Sequence, residues 1–129
     1  MRRAADLLWL AAALLLSLPA VAQTDCRNPQ AQNDMNQCAY REYEKTDAEL
    51  NRLYKQLQDK TGNAPQLAAA ERAWIAYRDK ECDLETAGEA GGSIRPLLQA
   101  TCLKALTERR SADLRRLLKC QDDGATCAY

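Results

Sequence analysis

The 129-residue sequence predicts an all-α fold, an elongated antiparallel three-helix bundle stapled by disulfides. Three observations carry this. Beyond residue 22 there is no valine and no phenylalanine, and the isoleucines are limited to Ile75 and Ile94, so the residues that build strands are scarce. In their place stand Leu, Ala, Glu, Gln, Lys and Arg, the strong helix formers. Six cysteines (Cys26, Cys38, Cys82, Cys102, Cys120 and Cys127) crowd into a short chain, and an even number in a small exported protein implies a disulfide framework.

Export is read from the first 22 residues. Arg2 and Arg3 give a basic start, Leu7 to Leu18 an apolar stretch too short to span a bilayer comfortably, and Ala20-Val21-Ala22 a small-x-small cleavage signal. Gln23-Thr24-Asp25 stand between that point and Cys26, which argues against a lipid anchor. Residues 1–22 are thus expected to be a signal peptide and residues 23–129 a single domain, with a core over 26–118 and a disulfide-containing tail over 119–129. The product should be periplasmic or secreted, with no membrane association after cleavage. Removal of Arg2, Arg3 and Asp6 from 18 basic and 18 acidic residues leaves a net charge of −1, so nothing global points to nucleic acid. The sequence has no histidine, which removes the usual general base of hydrolases and the commonest zinc ligand.

The elements follow in order. From Gln30 to about Lys60, Met35, Cys38, Ala39, Tyr43, Thr46, Leu50, Leu53, Tyr54 and Leu57 recur every three or four residues, the mark of one helix face. Thr46-Asp47-Ala48-Glu49 matches a capping box, yet the period runs through it without a slip, which favours one long helix. Thr61-Gly62-Asn63 ends it, and Asn63 with Pro65 opens a second helix to about Ala87, lined by Leu67, Ala70, Trp74, Tyr77, Arg78 and Cys82. Gly88, Gly91 and Gly92 break the chain. Ser93 is then expected to cap a third helix, with Pro96 in its first turn and Leu98, Cys102, Leu106, Arg110, Leu114 and Leu117 repeating along it. Short connections make consecutive helices antiparallel neighbours.

Cys82, about five residues before the end of the second helix, and Cys102, about nine after the start of the third, stand at similar height across the glycine turn at ~1.5 Å per residue. They are the preferred pair. Cys26 with Cys38 and Cys120 with Cys127 are two suggestions among about 15 connectivities. Because Cys38 also lies near the Cys82 end, an exchange between those pairs stays open.

Trp74, Tyr77, Arg78 and Cys82 fall at helical offsets and project from nearly one side, which suggests a reactive cluster or a packing face. With no imidazole to activate it, the packing face is the better reading. Trp74, Tyr77 and Arg78, with Asp47 and Tyr54 from the first helix, are therefore assigned to the structural core, Arg78 paired to Asp47 because an unmatched buried charge is costly. Glu81, Asp83 and Glu85 alternate around their helix and read as solvated acids, not as a glycosidase pair facing across a cleft. Asp122-Asp123-Gly124 lacks the spaced ligands of a calcium loop. No metal and no cofactor is called for.

Charge is unevenly placed. Residues 79–89 hold Asp79, Glu81, Asp83, Glu85 and Glu89 against Lys80, at a helix end where the dipole prefers cations. The segment 104–119 is basic and agrees with its dipole. The loop beside the acidic end therefore becomes the candidate partner-binding site, with Glu85, Glu89, Gly91, Gly92, Ser93 and Arg95 as its residues.

The series Met35-Asn36-x-Cys38-Ala39, Asp47-x-x-Leu50-Asn51-x-x-Tyr54, Ala73-Trp74-Ile75-x-Tyr77-Arg78-Asp79-x-x-Cys82, Gly91-Gly92-Ser93 and Cys102-x-x-x-x-Thr107-x-x-Arg110 resembles the LprI-type lysozyme-inhibitor domain family of bacterial envelope proteins, over roughly residues 26–118. The resemblance implies a small helical, disulfide-containing exported protein that binds and blocks lysozyme. The alternative is a non-catalytic envelope module that holds another protein or a cell-wall partner. An enzyme is disfavoured, since the chain offers no base, metal set or cleft, and the oligomeric state is left open.

Overall fold

The computed structural model describes residues 24–124, so residues 1–22 and Cys127 lie outside the described residues. Three helices follow one another: α1 (Gln32–Lys60), α2 (Ala64–Glu85) and α3 (Arg95–Asp122), with one 3₁₀ turn, Ala87–Glu89, between the last two. The described residues contain no strand.

α1 is a single helix because nothing between residues 32 and 60 breaks it, and Thr46, the possible cap, instead donates from Oγ1 to the Glu42 carbonyl at 3.0 Å within the helix. Surface pairs Lys45 with Glu42 and Arg52 with Glu49 support it at one-turn spacing. Pro65 and Pro96 both sit in the first turn of their helices, where the missing N–H costs nothing. Two boundaries differ from expectation. α2 stops at Glu85 because the next residues tighten into the 3₁₀ turn, and Ser93 does not cap α3: Ile94 occupies the cap with helical backbone angles and no side-chain bond.

α1 and α3 run parallel and α2 antiparallel to both. Asn36 reaches Ser93 near one end, Glu49 meets Arg115 further along, and Lys60 pairs with Asp122 at the other end. The main core lies towards that last end, where Leu50, Leu53 and Leu57 of α1 meet Leu114 and Leu118 of α3, with Tyr54, Leu67, Trp74 and Leu117 packed around them. The opposite half buries few large side chains and is tied by disulfides, Cys82–Cys102 and Cys26–Cys38, each with Cα atoms about 5.5 Å apart. Cys82 and Cys102 are buried, whereas Cys26 is exposed. The preferred pairing holds and the exchange does not occur. Cys120 is not a free thiol, and its expected partner, Cys127, is beyond the described segment.

The α3 stripe differs most from its expectation. Cys102 and Leu114 are buried as expected, but Leu98 is 37% exposed, and Ala100, Thr107, Ser111 and Leu118 are buried in addition. The small side chains of Ala100, Thr107 and Ser111 allow α3 to lie close against α1. Ser111 Oγ is buried without a partner.

Candidate functional site

Two regions concentrate polar chemistry: a buried belt around Arg78 and the exposed loop between α2 and α3. In the belt, Arg78 is buried and donates from Nη1 to Asp47 Oδ1 at 3.1 Å and to Thr107 Oγ1 at 3.5 Å, with Nε 2.9 Å from Asp79 Oδ1. Its guanidinium lies 5.2 Å from the Trp74 ring centre and 5.6 Å from that of Tyr43. Arg110 approaches Trp74 to 5.9 Å and donates to Glu71 at 2.9 Å, a second pair that is largely buried. Trp74 is thus flanked by two guanidiniums, each neutralised by its own carboxylate. Burial disfavours the Arg78 charge, but the Asp79 hydrogen bond, with Tyr43 and the nearby carboxylates, outweighs it and raises its pKa above the ordinary arginine value. Burial also raises the Tyr43 phenol.

Every arginine of this belt is committed to a partner, so its work is to fix the three helices against one another. Sequence reasoning placed Arg78 with Asp47 but missed Asp79, Glu71 and Thr107, polar residues that a search for apolar spacing passes over. Tyr77 does not belong here: it is 53% exposed, because three residues of helix beyond Trp74 turn it towards solvent. Tyr54 is partly buried against the leucine core.

In the loop, Glu85, Glu89, Gly91, Gly92 and Ser93 are all exposed. The backbone beneath them is nonetheless well tied. Glu89 N–H bonds to Thr86 O at 3.1 Å, Gly92 N–H to Glu89 O at 2.9 Å and Arg95 N–H to Gly92 O at 3.2 Å, a run of consecutive tight turns. Gly91 takes φ +78°, a left-handed conformation that side chains disfavour. At Gly92 a Cβ would lie 3.2 Å from the Glu89 carbonyl oxygen. The loop is anchored on three sides: Asn36 Nδ2 donates to Ser93 O at 2.9 Å, buried Thr86 donates from Oγ1 to Cys82 O at 2.7 Å, and the Cys82–Cys102 bridge closes its base. Asp83 accepts from Gln99 at 3.0 Å and stands 3.9 Å from Arg95 Nη2, while Arg95 Nε is buried with no hydrogen-bond partner. Asn36 and Thr86 were not singled out as site residues. Their signal was weak, since an asparagine one turn into a helix and a threonine at a helix end are commonplace.

Grooves indent the bundle among the described residues, contrary to the expectation of no cleft. One of about 370 Å³ lies at the pole opposite the loop, floored by Leu57, Leu67 and Leu117 and rimmed by Thr61, Asn63, Gln66, Gln121 and Arg110. It carries no carboxylate. Asp122, from the faint calcium-like run, is ion-paired to Lys60.

Fold and loop together define a disulfide-stapled helical module that presents a preorganised turn at one pole. The chain belongs to a family of that kind: the model of the lysozyme inhibitor LprI family matches residues 24–114. It is similar to an uncharacterized protein of Rhizobium meliloti (strain 1021), 39% identical over 137 aligned positions that cover 92% of this chain and 97% of the relative. No solved structure matches. Among the described residues no helix is long and apolar enough to cross a membrane.

Proposed function

We propose that the protein is an exported, non-catalytic binder that engages lysozyme through the 88–95 loop and blocks its cleft. The observation that carries this reading is the contrast within the loop: its backbone is held from three sides while Glu85, Glu89 and Ser93 stay exposed. Such a segment loses little conformational freedom on docking, which is how a small rigid inhibitor gains affinity. Membership of the lysozyme-inhibitor family supports the partner. Lysozymes are commonly cationic outside the cleft and carry catalytic carboxylates within it, so the acidic flank would steer the encounter while Ser93 or Arg95 engages the acids. The apolar, basic-flanked leader at residues 1–22 and the disulfides support a periplasmic or secreted site of action. The test follows turbidity of a cell-wall suspension with lysozyme and a several-fold molar excess of the purified protein. Slowed clearing is expected, and undiminished lysis removes inhibition from consideration.

A second reading, an envelope module that holds a different protein or a wall fragment, is favoured by the apolar-floored, carboxylate-free groove at the far pole, which the inhibitor reading leaves unused. A pull-down from periplasmic extract that enriches another protein, together with undiminished lysis, would favour it.

A further inference from the structure

α2 has an outward face that no other described residue covers. Ala69, Ala73, Ala76, Tyr77, Lys80 and Leu84 recur at three- and four-residue steps, so they form one stripe, and all six are exposed. Tyr77 is 53% and Leu84 71% exposed, among the most exposed large apolar side chains described. Three alanines beside a tyrosine and a leucine make a surface of shallow hollows and two knobs, the relief that lets helices approach closely and interlock.

The charge along the same helix says what would fit there. α2 has no acidic residue in its first turn and no basic residue in its last, the reverse of what its dipole favours. Its first seven residues carry no charge, whereas Asp79, Glu81, Asp83 and Glu85 crowd the last two turns against Lys80 alone. Arg72 is exposed and makes no hydrogen bond or ion pair to the other described residues.

We propose that this face is an isologous dimer contact, in which α2 packs antiparallel against α2 of a second copy. The register follows from the knobs. With the two-fold axis between Ala76 and Tyr77, Leu84 of each copy meets Ala69 of the other, Lys80 meets Ala73, and Tyr77 meets Ala76. In that register the acidic end of each helix lies alongside the uncharged, dipole-positive start of the other. Arg72 comes level with the stretch of the second copy that holds Asp79 and Asp83. A parallel arrangement would set acids against acids. Asp79 and Asp83 already meet Arg78 and Arg95 within the chain, and the two-fold adds the positive helix start and Arg72 of the second copy to this acidic end, while its closure stops growth at two copies. In this register residues 68–85 of the two helices overlap over about 27 Å, and a strip about 12 Å wide buries roughly 650 Å² in total, the size of a weak, transient contact. The inference does not rest on the inhibitor reading.

Sedimentation velocity on the disulfide-intact protein, from about 5 to about 500 µM, is the test; that range suits a contact of this size. A monomer at the low end and a mass approaching twofold at the high end are expected. Ala73→Lys, at an exposed helical position opposite Lys80 of the second copy, should keep the thermal midpoint and weaken dimerisation at least tenfold, and Leu84→Asp should do the same. A monomer throughout, a dimer that survives both substitutions with unchanged affinity, or assembly beyond two copies would each overturn the proposal.

Discussion

Removing the Arg78 guanidinium should loosen the whole bundle, and its surroundings set by how much. Breaking a fully buried ion pair costs about 3–5 kcal/mol, but Asp47 and Asp79 are 33% and 53% exposed and can be rehydrated once Arg78 is gone. Their share falls to about 1 kcal/mol for the two together. The contacts with Trp74 and Tyr43 add about 0.5 kcal/mol each, and the buried stem about 1 kcal/mol of lost packing. Arg78→Ala should therefore destabilise by about 3 kcal/mol, a fall of roughly 12–20 °C in the thermal midpoint of a domain this size. Arg78→Met keeps the stem and should lose roughly half as much. Circular dichroism melts of the oxidised protein supply the measurement. If Arg78→Ala melts within about 3 °C of the parent, in the range of ordinary surface changes, the belt does not hold the helices and the assignment of Trp74 and Arg78 to structure fails.

The remaining expectations concern acid, the loop and its staple. Glu49 is held well below its ordinary value, from 4.5 to about 2, first by the Arg52 hydrogen bond and then by Arg115. A carboxylate depressed in the folded state stabilises above its unfolded pKa and loses that contribution as pH falls through the folded one, so stability should decline between about pH 5 and pH 2. Glu49→Gln should flatten that decline in pH-dependent melts. Gly91→Ala meets no neighbouring atom but keeps φ +78°, and should cost about 1 kcal/mol by denaturant titration. Reversing charge at Glu85 and Glu89 to lysine should slow association with a cationic lysozyme about tenfold at low salt, with less effect at high salt, in stopped-flow or surface-resonance traces. Replacing Cys82 and Cys102 together by alanine opens a loop of 20-residue separation and should cost about 3 kcal/mol from chain entropy alone, read from chemical denaturation.

The helices were legible because α1 has strong periodicity and no breaker, and because prolines and glycines mark the other ends. The inward face of α3 was not. A row taken at steps of four residues drifts by about 40° per step, since each residue turns 100°. Leu98, Cys102, Leu106, Arg110 and Leu114 therefore swing by about 160°, so that Leu98 is exposed and Leu114 lies in the core, while Cys102 is buried on the side that its bridge to Cys82 closes. The true inner row, Ala100, Thr107, Ser111, Leu114 and Leu118, mixes steps of three and four and stays in register, but two of its members are polar and invisible to a hydrophobic pattern. Tyr77 was misplaced for the related reason that an aromatic near Trp74 was taken to share its face. At the loop, the glycines and acids were legible, whereas the anchors were not, because Asn36 lies 57 residues from Ser93 and only the folded parallel packing of α1 and α3 brings them together.

That separation bears on why the bundle is built unevenly. Leucines fill the half near Lys60 and Asp122, and the loop half has bridged cysteines, Ala100 and Thr86 in their place. Residues 86–94, which cover this pole, are short, glycine-rich and almost all exposed, so they add little apolar surface to it. A small domain that cannot build a core at one pole can hold it by covalent staples. The Arg78 belt lies between the two halves and ties α2 to α1 and α3, while the packing of α1 on α3 brings Asn36 to Ser93. The loop's shape is thus a consequence of contacts on all three helices, and it depends on oxidation as much as on hydrophobic burial.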